Sequence, residues 1–131
     1  MRYLVIRTEN LSKSYGRHSA LRNLTLEVEP GEIYGVLGPQ GSGKTTLIHL
    51  LLNIAHPSNG NARIMGLDCH RQGEKVRSLV GFAPEKISTR LKGAGEKSLI
   101  HFANSRGRAD LGIALEVAEK FKLDLQKPVA A

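Results

Sequence analysis

A glycine-rich run of eight residues, Gly38–Thr45, constrains this chain more than any other feature of its sequence. The run matches the pattern G-x-x-x-x-G-K-[ST] at every fixed position. Glycines let a loop close around an anion, and they let backbone amides approach phosphate oxygens without a Cβ in the way. Lys44 supplies a positive charge for the β- and γ-phosphates, and the Thr45 hydroxyl can ligate Mg²⁺. The run therefore predicts a site for the phosphates of a nucleoside triphosphate.

The sequence on either side of this loop has the arrangement that the pattern requires. Ile33–Leu37 is a continuous, mostly apolar run, which predicts a strand covered on both faces. Lys44–Ile54 is so rich in leucine and isoleucine that little polar face remains, which predicts a largely buried helix. A helix that begins at the loop also directs the positive end of its dipole towards a bound phosphate. Strand, loop and helix in this order predict an α/β fold.

The rest of the chain divides into short segments with strand-like or helix-like patterns. Further strands are predicted at Leu4–Ile6, Leu24–Val28, Ala62–Met65 and Leu79–Ala83. Helices are predicted at Glu74–Ser78, Glu96–Asn104 and Asp110–Leu123, with Asp110 as the N-cap of the last. A turn is predicted around Gly16, and the basic, glycine-containing stretch Lys86–Lys97 indicates a loop.

The formal net charge of +7 raises the question of an anionic partner, but it does not separate nucleotides from nucleic acids or membrane surfaces. The basic residues after Pro84 have no interleaved aromatics and no RNA-binding signature, so no nucleic-acid partner is expected. The residues themselves favour a solvated surface for this basic region. No apolar run approaches the roughly 18 residues that cross a bilayer, so a membrane role is expected to depend on a partner.

The single cysteine, Cys69, has no partner for an internal disulfide, which favours a reducing compartment. Cys69 and the adjacent His70 lack the spaced ligand pairs of a zinc site. The other histidines are scattered along the chain and are typical of surface or helix positions. The metal that the sequence predicts is therefore the Mg²⁺ that accompanies the triphosphate.

Two stretches of the chain carry a family resemblance. One runs from Asn10 to Asp68, NLSKSYGRHSALRNLTLEVEPGEIYGVLGPQGSGKTTLIHLLLNIAHPSNGNARIMGLD, and the other, VRSLVGFAPE, ends at Glu85. Both resemble the nucleotide-binding subunit of ABC transporters, and the resemblance covers essentially the whole chain but weakens after Glu85. The similarity is greatest to ATPases of drug- and antibiotic-export systems with separate membrane subunits. It implies a P-loop NTPase fold of the ABC type, in which an antiparallel β subdomain accompanies the nucleotide-binding core and a helical subdomain follows.

The resemblance also implies roles for single residues. It makes Tyr15 the aromatic that stacks on adenine, a contact worth on the order of 1 kcal/mol, whereas a tyrosine in a turn is otherwise a packing residue. It aligns Glu85 with a glutamine that senses Mg²⁺ and the attacking water, but a carboxylate cannot donate the hydrogen bond of an amide. The nucleotide-binding candidates are Tyr15, Gly38, Pro39, Gln40, Gly41, Ser42, Gly43, Lys44, Thr45 and Thr46. The metal-binding candidates are Thr45 and Glu85.

Motifs that follow in this family bear on catalysis. They are a signature loop, an apolar strand that ends in Asp-Glu and a switch histidine, and this sequence has no candidate for the catalytic glutamate. We therefore expect the N-terminal portion of such a domain, with a core over residues 1–90 and the start of a helical subdomain over 91–131. Hydrolysis needs a positioned water and a second Mg²⁺ ligand, so we expect ATP binding without efficient hydrolysis. An uncovered Ile33–Leu37 strand also predicts self-association.

The resemblance further implies a cytoplasmic location on the inner face of the cell membrane, through a membrane-spanning transporter subunit. It also implies a homodimer or heterodimer of nucleotide-binding subunits in the full-length form. Three alternatives remain open. A soluble ABC ATPase that acts on nucleic acid or the ribosome shares every motif. A P-loop kinase fits the loop alone, whereas the missing Asn-Lys-x-Asp motif disfavours a GTPase. A non-functional remnant of a disrupted gene is the third.

Overall fold

The computed structural model of the chain describes residues 3–84, 94–105 and 111–127. Met1–Phe82 form one compact unit, and Ala83–Ala131 form a second. Within the described ranges, no helix combines the length and the apolar character needed to cross a membrane. Two predicted features, Glu85 and the N-cap at Asp110, lie outside the described residues, as does most of the predicted basic loop.

The first unit is built on an antiparallel sheet of four strands in the order β2-β1-β3-β4. The strands are β1 (Ile6–Tyr15), β2 (His18–Val28), β3 (Asn59–Ile64) and β4 (Leu67–Asp68). β1 pairs with both long neighbours, because Ile6 is the Cα partner of Val28 on one side and of Ile64 on the other. The predicted turn at Gly16 is confirmed as the hairpin between β1 and β2.

The β1–β2 hairpin is longer than the sequence predicted, and its register is irregular. The pairing shifts between Thr8 and Leu11, where the side chain of Thr8 is fully buried. Its hydroxyl donates to the Leu24 carbonyl at 2.9 Å and accepts from the Leu26 amide at 3.1 Å. A side chain thus satisfies backbone groups that the irregular ladder leaves unpaired, which lets one long hairpin form from a sequence with a broken strand pattern.

Helix α1 (Lys44–Leu51) supplies much of the core. Its buried leucines join residues from β1, β3 and the region beyond β4 in one cluster, namely Leu11, Leu47, Leu50, Leu51, Ala62, Ile64, Cys69 and Val76. The helix was predicted to reach Ile54 but ends earlier, because Asn53 adopts a positive φ of 56°. The amides of Ile54 and Ala55 both donate to the His49 carbonyl, which closes the helix C-terminus in the manner typical of an asparagine stop.

Two of the predicted strands are absent from the structure. Leu79 is the last residue of α2 (Gly73–Leu79), and no strand covers residues 80–84. The second missing strand, Ile33–Leu37, also lies in a stretch without regular secondary structure. A strand forms only when a neighbour accepts and donates its backbone hydrogen bonds, and the described residues offer no such neighbour to Ile33–Leu37.

The second unit contains the two helices that the sequence predicted, α3 (Gly95–Ser105) and α4 (Leu111–Lys120). The chain after α4 returns to the start of α3. There the amides of Gly95 and Glu96 donate to the carbonyls of Lys127 and Leu125 at 2.9 and 3.0 Å. Because the first amides of a helix have no partner within the helix, these two bonds cap α3 with backbone from its own unit.

Candidate phosphate-binding site

The predicted phosphate loop leads directly into α1, which begins at Lys44 as the sequence predicted. Gly43 is the N-cap residue, and it has no side chain to accept a hydrogen bond from the first helical turn. The first amides of a helix need an acceptor from outside the helix. At this helix the amides and the dipole therefore favour an anion in front of the loop.

The fold of the loop depends on glycine at two positions. Gly41 and Gly43 have φ values of 82° and 92°, in the left-handed region that side chains rarely adopt. A Cβ on Gly43 would also collide with the carbonyl oxygen of Ala20 on β2. The loop thus packs directly against the sheet, and a larger residue at position 43 would have to push it away.

The Lys44 side chain is held against its own loop. Its Nζ donates to the carbonyl oxygens of Gly38 and Pro39, at 2.7 Å each, and to the Ser42 Oγ at 3.3 Å. Among the described residues, no carboxylate lies within ion-pair distance of this ammonium. The loop therefore holds a positive charge that no described acidic side chain neutralises, close to the uncapped start of α1.

The two threonines after Lys44 occupy the first turn of α1. Thr45 is exposed and Thr46 is half-buried. A hydroxyl in this turn, next to bound phosphates, can act as an oxygen ligand for Mg²⁺, which prefers oxygen ligands. The donor set of the loop is therefore compatible with a triphosphate and its metal ion.

Tyr15 is the last residue of β1 and is 49% exposed. Its Cα partner is His18, the first residue of β2. From His18 the strand continues to Ala20, about 7 Å further along, and Ala20 is the residue on which Gly43 packs. Tyr15 and Ala20, against which the loop packs, thus lie near the same end of the β1–β2 hairpin.

Lys13 is a neighbour of this site that the sequence reasoning missed. Its Nζ lies 4.8 Å from the centroid of the Tyr15 ring. Residues two apart on a strand share a face, so the strand assignment could have revealed the pair. A cation over one face of the ring leaves the other face for stacking.

An apolar groove of about 300 Å³ adjoins the loop. We call it the leucine groove. Three leucines of β2 form one side and residues 34–37 the other, and the groove extends to Lys44; its lining is Leu21, Leu24, Leu26, Tyr34, Gly35, Val36, Leu37, Ser42, Gly43, Lys44 and Leu47. Its walls are apolar except at the loop, so phosphate contacts are confined to one end.

A second cavity, of about 170 Å³, lies away from the loop around Asp68 and Cys69. The Arg71 amide, with that of His70, donates to the Asp68 carboxylate and keeps its pKa below the ordinary value, although partial burial acts in the opposite direction. Burial raises the pKa of the Cys69 thiol to about 11, so this cysteine is protonated and inert at neutral pH. In the described part of the chain, no three metal-binding side chains converge. We therefore interpret the residues around this cavity as part of a structural turn.

Comparison with known proteins identifies relatives for most of the chain. The family model described as ABC transporter matches residues 21–127. The Nod factor export ATP-binding protein I of Cupriavidus metallidurans is 37% identical over 81 residues, which cover 62% of this chain and 27% of that protein. The bacitracin transport ATP-binding protein BcrA of Enterococcus faecalis is 35% identical over 108 residues, which cover 72% of this chain and 35% of the relative. The chain therefore spans about a quarter to a third of the length of these relatives.

Solved structures confirm the predicted fold class. A structure described as the ATP binding subunit of an ABC transporter matches with a TM-score of 0.77 over 94% of this chain and 53% of that chain, at 23% identity. At this identity the likeness concerns the fold alone. The antiparallel sheet, the loop and the short helices thus correspond to a portion of a P-loop NTPase domain of the ABC type.

Proposed function

We propose that this chain, which belongs to the ABC transporter family of ATP-binding domains, binds Mg-ATP through residues 38–46. The observation that carries the proposal is the position of Lys44, whose ammonium is held by the loop carbonyls beside an uncapped helix start. A cation and several amides around one small space suit a triphosphate better than an uncharged ligand.

Each part of the loop has a role in this proposal. Lys44 donates to the β- and γ-phosphate oxygens, and the amides of Gly41 and Gly43–Thr46 donate to the phosphates along the start of α1. Pro39, Gln40 and Ser42 shape the loop, since Pro39 accepts from the Ser42 amide at 3.3 Å. The Thr45 hydroxyl would hold Mg²⁺, with the Glu85 carboxylate as a second metal-ligand candidate.

The adenine ring is proposed to stack on Tyr15. The half-exposed ring at the end of β1 and the short path along β2 to Gly43 support this assignment. Aromatic stacking favours no particular polar edge of the base, so Tyr15 is expected to contribute affinity more than base selectivity.

At the level of the whole protein, the proposed role is that of the ATP-binding component of a transporter with a separate membrane-spanning subunit. The names of the relatives, which include export and transport ATP-binding proteins, support this role. In this proposal the chain acts at the inner face of the cell membrane, and the full-length form works as a homodimer or heterodimer of such subunits.

We further propose that the 131-residue chain binds ATP without efficient hydrolysis. No apolar strand pattern in the sequence ends in an acidic pair, and the switch histidine of the family has no candidate. Phosphoryl transfer to water depends on a positioned water and on charge stabilisation beyond the phosphate loop. Binding and turnover are therefore expected to separate in these 131 residues.

The test is a titration of the purified full chain with Mg-ATP, together with a measurement of phosphate release. Lys44→Ala is expected to weaken ATP binding about 10- to 150-fold, since a hydrogen bond to a charged group contributes roughly 1.5–3 kcal/mol. Lys75→Ala, at an exposed lysine of α2, is the matched control and should bind as wild type does. Phosphate release should not exceed that of ATP in buffer.

Unchanged ATP affinity in a folded Lys44→Ala sample would overturn the assignment of the loop. Steady phosphate release that disappears in Lys44→Ala would refute the claim of binding without turnover while leaving the binding site intact. Circular dichroism of each variant establishes that the fold is retained.

A further inference from the structure

Lys13 and Tyr15 form a pair at the end of β1 that the phosphate loop does not account for. Lys13 is half-buried, and its Nζ lies 4.8 Å from the centroid of the Tyr15 ring. Among the described residues, this ammonium makes no ion pair and no side-chain hydrogen bond. An ammonium within about 6 Å of a ring centroid is attracted by the electron-rich face. The ring of Tyr15 is therefore the partner of this charge.

The Tyr15 ring has few other restraints. It is 49% exposed at the last position of β1. In the part of the chain that the structure describes, no other ring stacks on it and its hydroxyl makes no hydrogen bond. Gly16 follows with a φ of 58°, so the chain turns directly after the ring. An exposed side chain with so few contacts can occupy several rotamers. The cation of Lys13 therefore limits the directions in which the ring can face.

The sheet positions Lys13 for this contact. Its Cα partner on β2 is Leu21, which lines the leucine groove beside the phosphate loop. Residues directly opposite each other share a face of the sheet, with Cβ atoms about 4.5–5.5 Å apart. The aliphatic stem of a lysine can pack along such an apolar neighbour while its ammonium extends further. The strand pairing thus places the stem of Lys13, and the ammonium reaches one face of the ring.

We propose that Lys13 is a positioning residue for the nucleobase, which holds one face of the Tyr15 ring and so presents the other face to adenine. This inference rests on the proposed stacking of adenine on Tyr15. A ring that is oriented before ATP binds loses less rotamer freedom on binding, so more of the stacking free energy appears as affinity. The base then completes a layered arrangement of ammonium, phenol ring and purine.

Lys13 acts on the ring and not on the phosphates in this proposal. The phosphate loop already holds an ammonium of its own, because Lys44 donates to the carbonyls of Gly38 and Pro39. Removal of a charge that contacts phosphates weakens the binding of every polyphosphate. Removal of a charge that orients the ring weakens only the binding of ligands that carry a base. A ligand without a base therefore separates the two roles.

Calorimetric titrations of the purified full chain with Mg-ATP and with Mg-tripolyphosphate, which has no base, test the proposal. Lys13→Gln should weaken ATP binding about 2- to 5-fold, the loss expected for one exposed cation–π contact, and should leave tripolyphosphate binding unchanged. Lys13→Arg should restore ATP affinity, because a guanidinium also stacks on aromatic faces. Arg22→Gln is the matched control, since it removes a cation from an exposed position of the same hairpin, and it should bind both ligands as wild type does.

A double-mutant cycle shows whether Lys13 acts through Tyr15. Tyr15→Ala should weaken ATP binding about 5-fold or more, since it removes the stacking surface. In this background Lys13→Gln should have no further effect, because the ring that Lys13 orients is gone. Tyr15→Phe keeps both faces of the ring and should bind ATP nearly as wild type does.

The possible failures are distinguishable. Unchanged ATP affinity in Tyr15→Ala would refute the stacking in the proposed function, and the role of Lys13 with it. A loss in Tyr15→Ala together with wild-type affinity in Lys13→Gln would overturn the role of Lys13 alone. Equal losses for ATP and tripolyphosphate in Lys13→Gln, or a loss that persists in the Tyr15→Ala background, would assign Lys13 to the phosphates and would also overturn the proposal. Tripolyphosphate binding by each variant shows that its phosphate loop is folded.

Discussion

The phosphate loop and the apolar segment Ile33–Leu37 are neighbours in the sequence, yet only the loop is organised by contacts that it makes itself. Lys44 reaches back to the carbonyls of Gly38 and Pro39, and α1 continues from the loop into the core. The apolar segment Ile33–Leu37 makes no backbone hydrogen bond among the described residues. A loop and a helix close their hydrogen bonds within a few residues, whereas a strand closes them only with another strand. The two regions therefore differ in where their hydrogen-bond partners lie, within a few residues for the loop and on another strand for the apolar segment.

The largest expected effect on stability comes from replacing one leucine in α1, which continues from the loop, and one leucine in the apolar segment. Leu50 of α1 is 2% exposed and Leu37 is 94% exposed. Leu50→Ala should lower the free energy of unfolding by about 2–5 kcal/mol, because it removes buried contacts and leaves a cavity. Leu37→Ala should change it by about 0.5 kcal/mol or less when urea unfolding is measured at a protein concentration low enough for a monomer.

Leu50→Met controls for the substitution itself. It conserves the volume of the side chain and should cost less than about 1.5 kcal/mol. Equal losses in Leu50→Ala and Leu37→Ala would mean that the apolar segment is as well packed as α1, which would remove the basis of the comparison.

A smaller effect on stability is expected when alanine replaces one glycine in each region, Gly43 in the phosphate loop or Gly35 in the apolar segment. Gly43 has a φ of 92°, and a Cβ there would strike the Ala20 carbonyl oxygen, so Gly43→Ala should cost about 1–3 kcal/mol and weaken ATP binding. Gly35 has no atom within 4 Å of a Cβ position and no positive φ. Gly35→Ala should therefore be neutral or should stabilise the monomer by about 0.4–1 kcal/mol, since it restricts the unfolded chain.

Thermal unfolding and ATP titration of the two glycine variants measure both effects. A Gly43→Ala protein with wild-type affinity would show that the loop does not need its left-handed residue. A destabilised Gly35→Ala monomer would show that the apolar segment is more constrained than its surroundings indicate.

The sequence predicted the elements whose structure is set locally. The start of α1 at Lys44 and the turn at Gly16 follow from residues within a few positions of each. The strands at Ile33–Leu37 and Leu79–Ala83 were wrong for the opposite reason, because an apolar run specifies a strand only when other strands flank it. The hairpin was underestimated because Thr8 satisfies backbone groups across sixteen residues, a contact that periodicity does not reveal.

For the candidate site, the sequence predicted the phosphate loop as a unit, and it reached Tyr15 only through a family resemblance. The placement of Tyr15 at the end of the hairpin on which the loop packs depends on the register of β1 with β2 and on the packing of Gly43 against Ala20. Neither is encoded in a local pattern. The role of Glu85 stays a prediction, since this residue lies outside the described part of the chain.

The smallest predicted effect concerns a turn that closes its own hydrogen bonds, as the loop does. The Asp68 carboxylate accepts from the amides of His70 and Arg71 at 2.9 and 2.8 Å, and these bonds keep its pKa below the ordinary value near 3.8. Because the folded pKa is lowered, this stabilisation is present above that ordinary value and is lost as the pH falls through the folded pKa. Asp68→Asn keeps an acceptor but loses the charge, so it should cost at most about 1 kcal/mol at neutral pH.

The difference between wild type and Asp68→Asn should stay constant above the ordinary pKa of 3.8 and should shrink as the pH is lowered from there through the folded pKa, since the wild-type carboxylate then takes up a proton. Urea unfolding at several pH values measures it, with Asp124→Asn in the second unit as a control that alters a carboxylate elsewhere. A difference that grows on acidification would mean that the Asp68 charge opposes folding. In that case the turn at Asp68 would not stabilise the first unit. Only the phosphate loop and α1 would then support the comparison with the apolar segment.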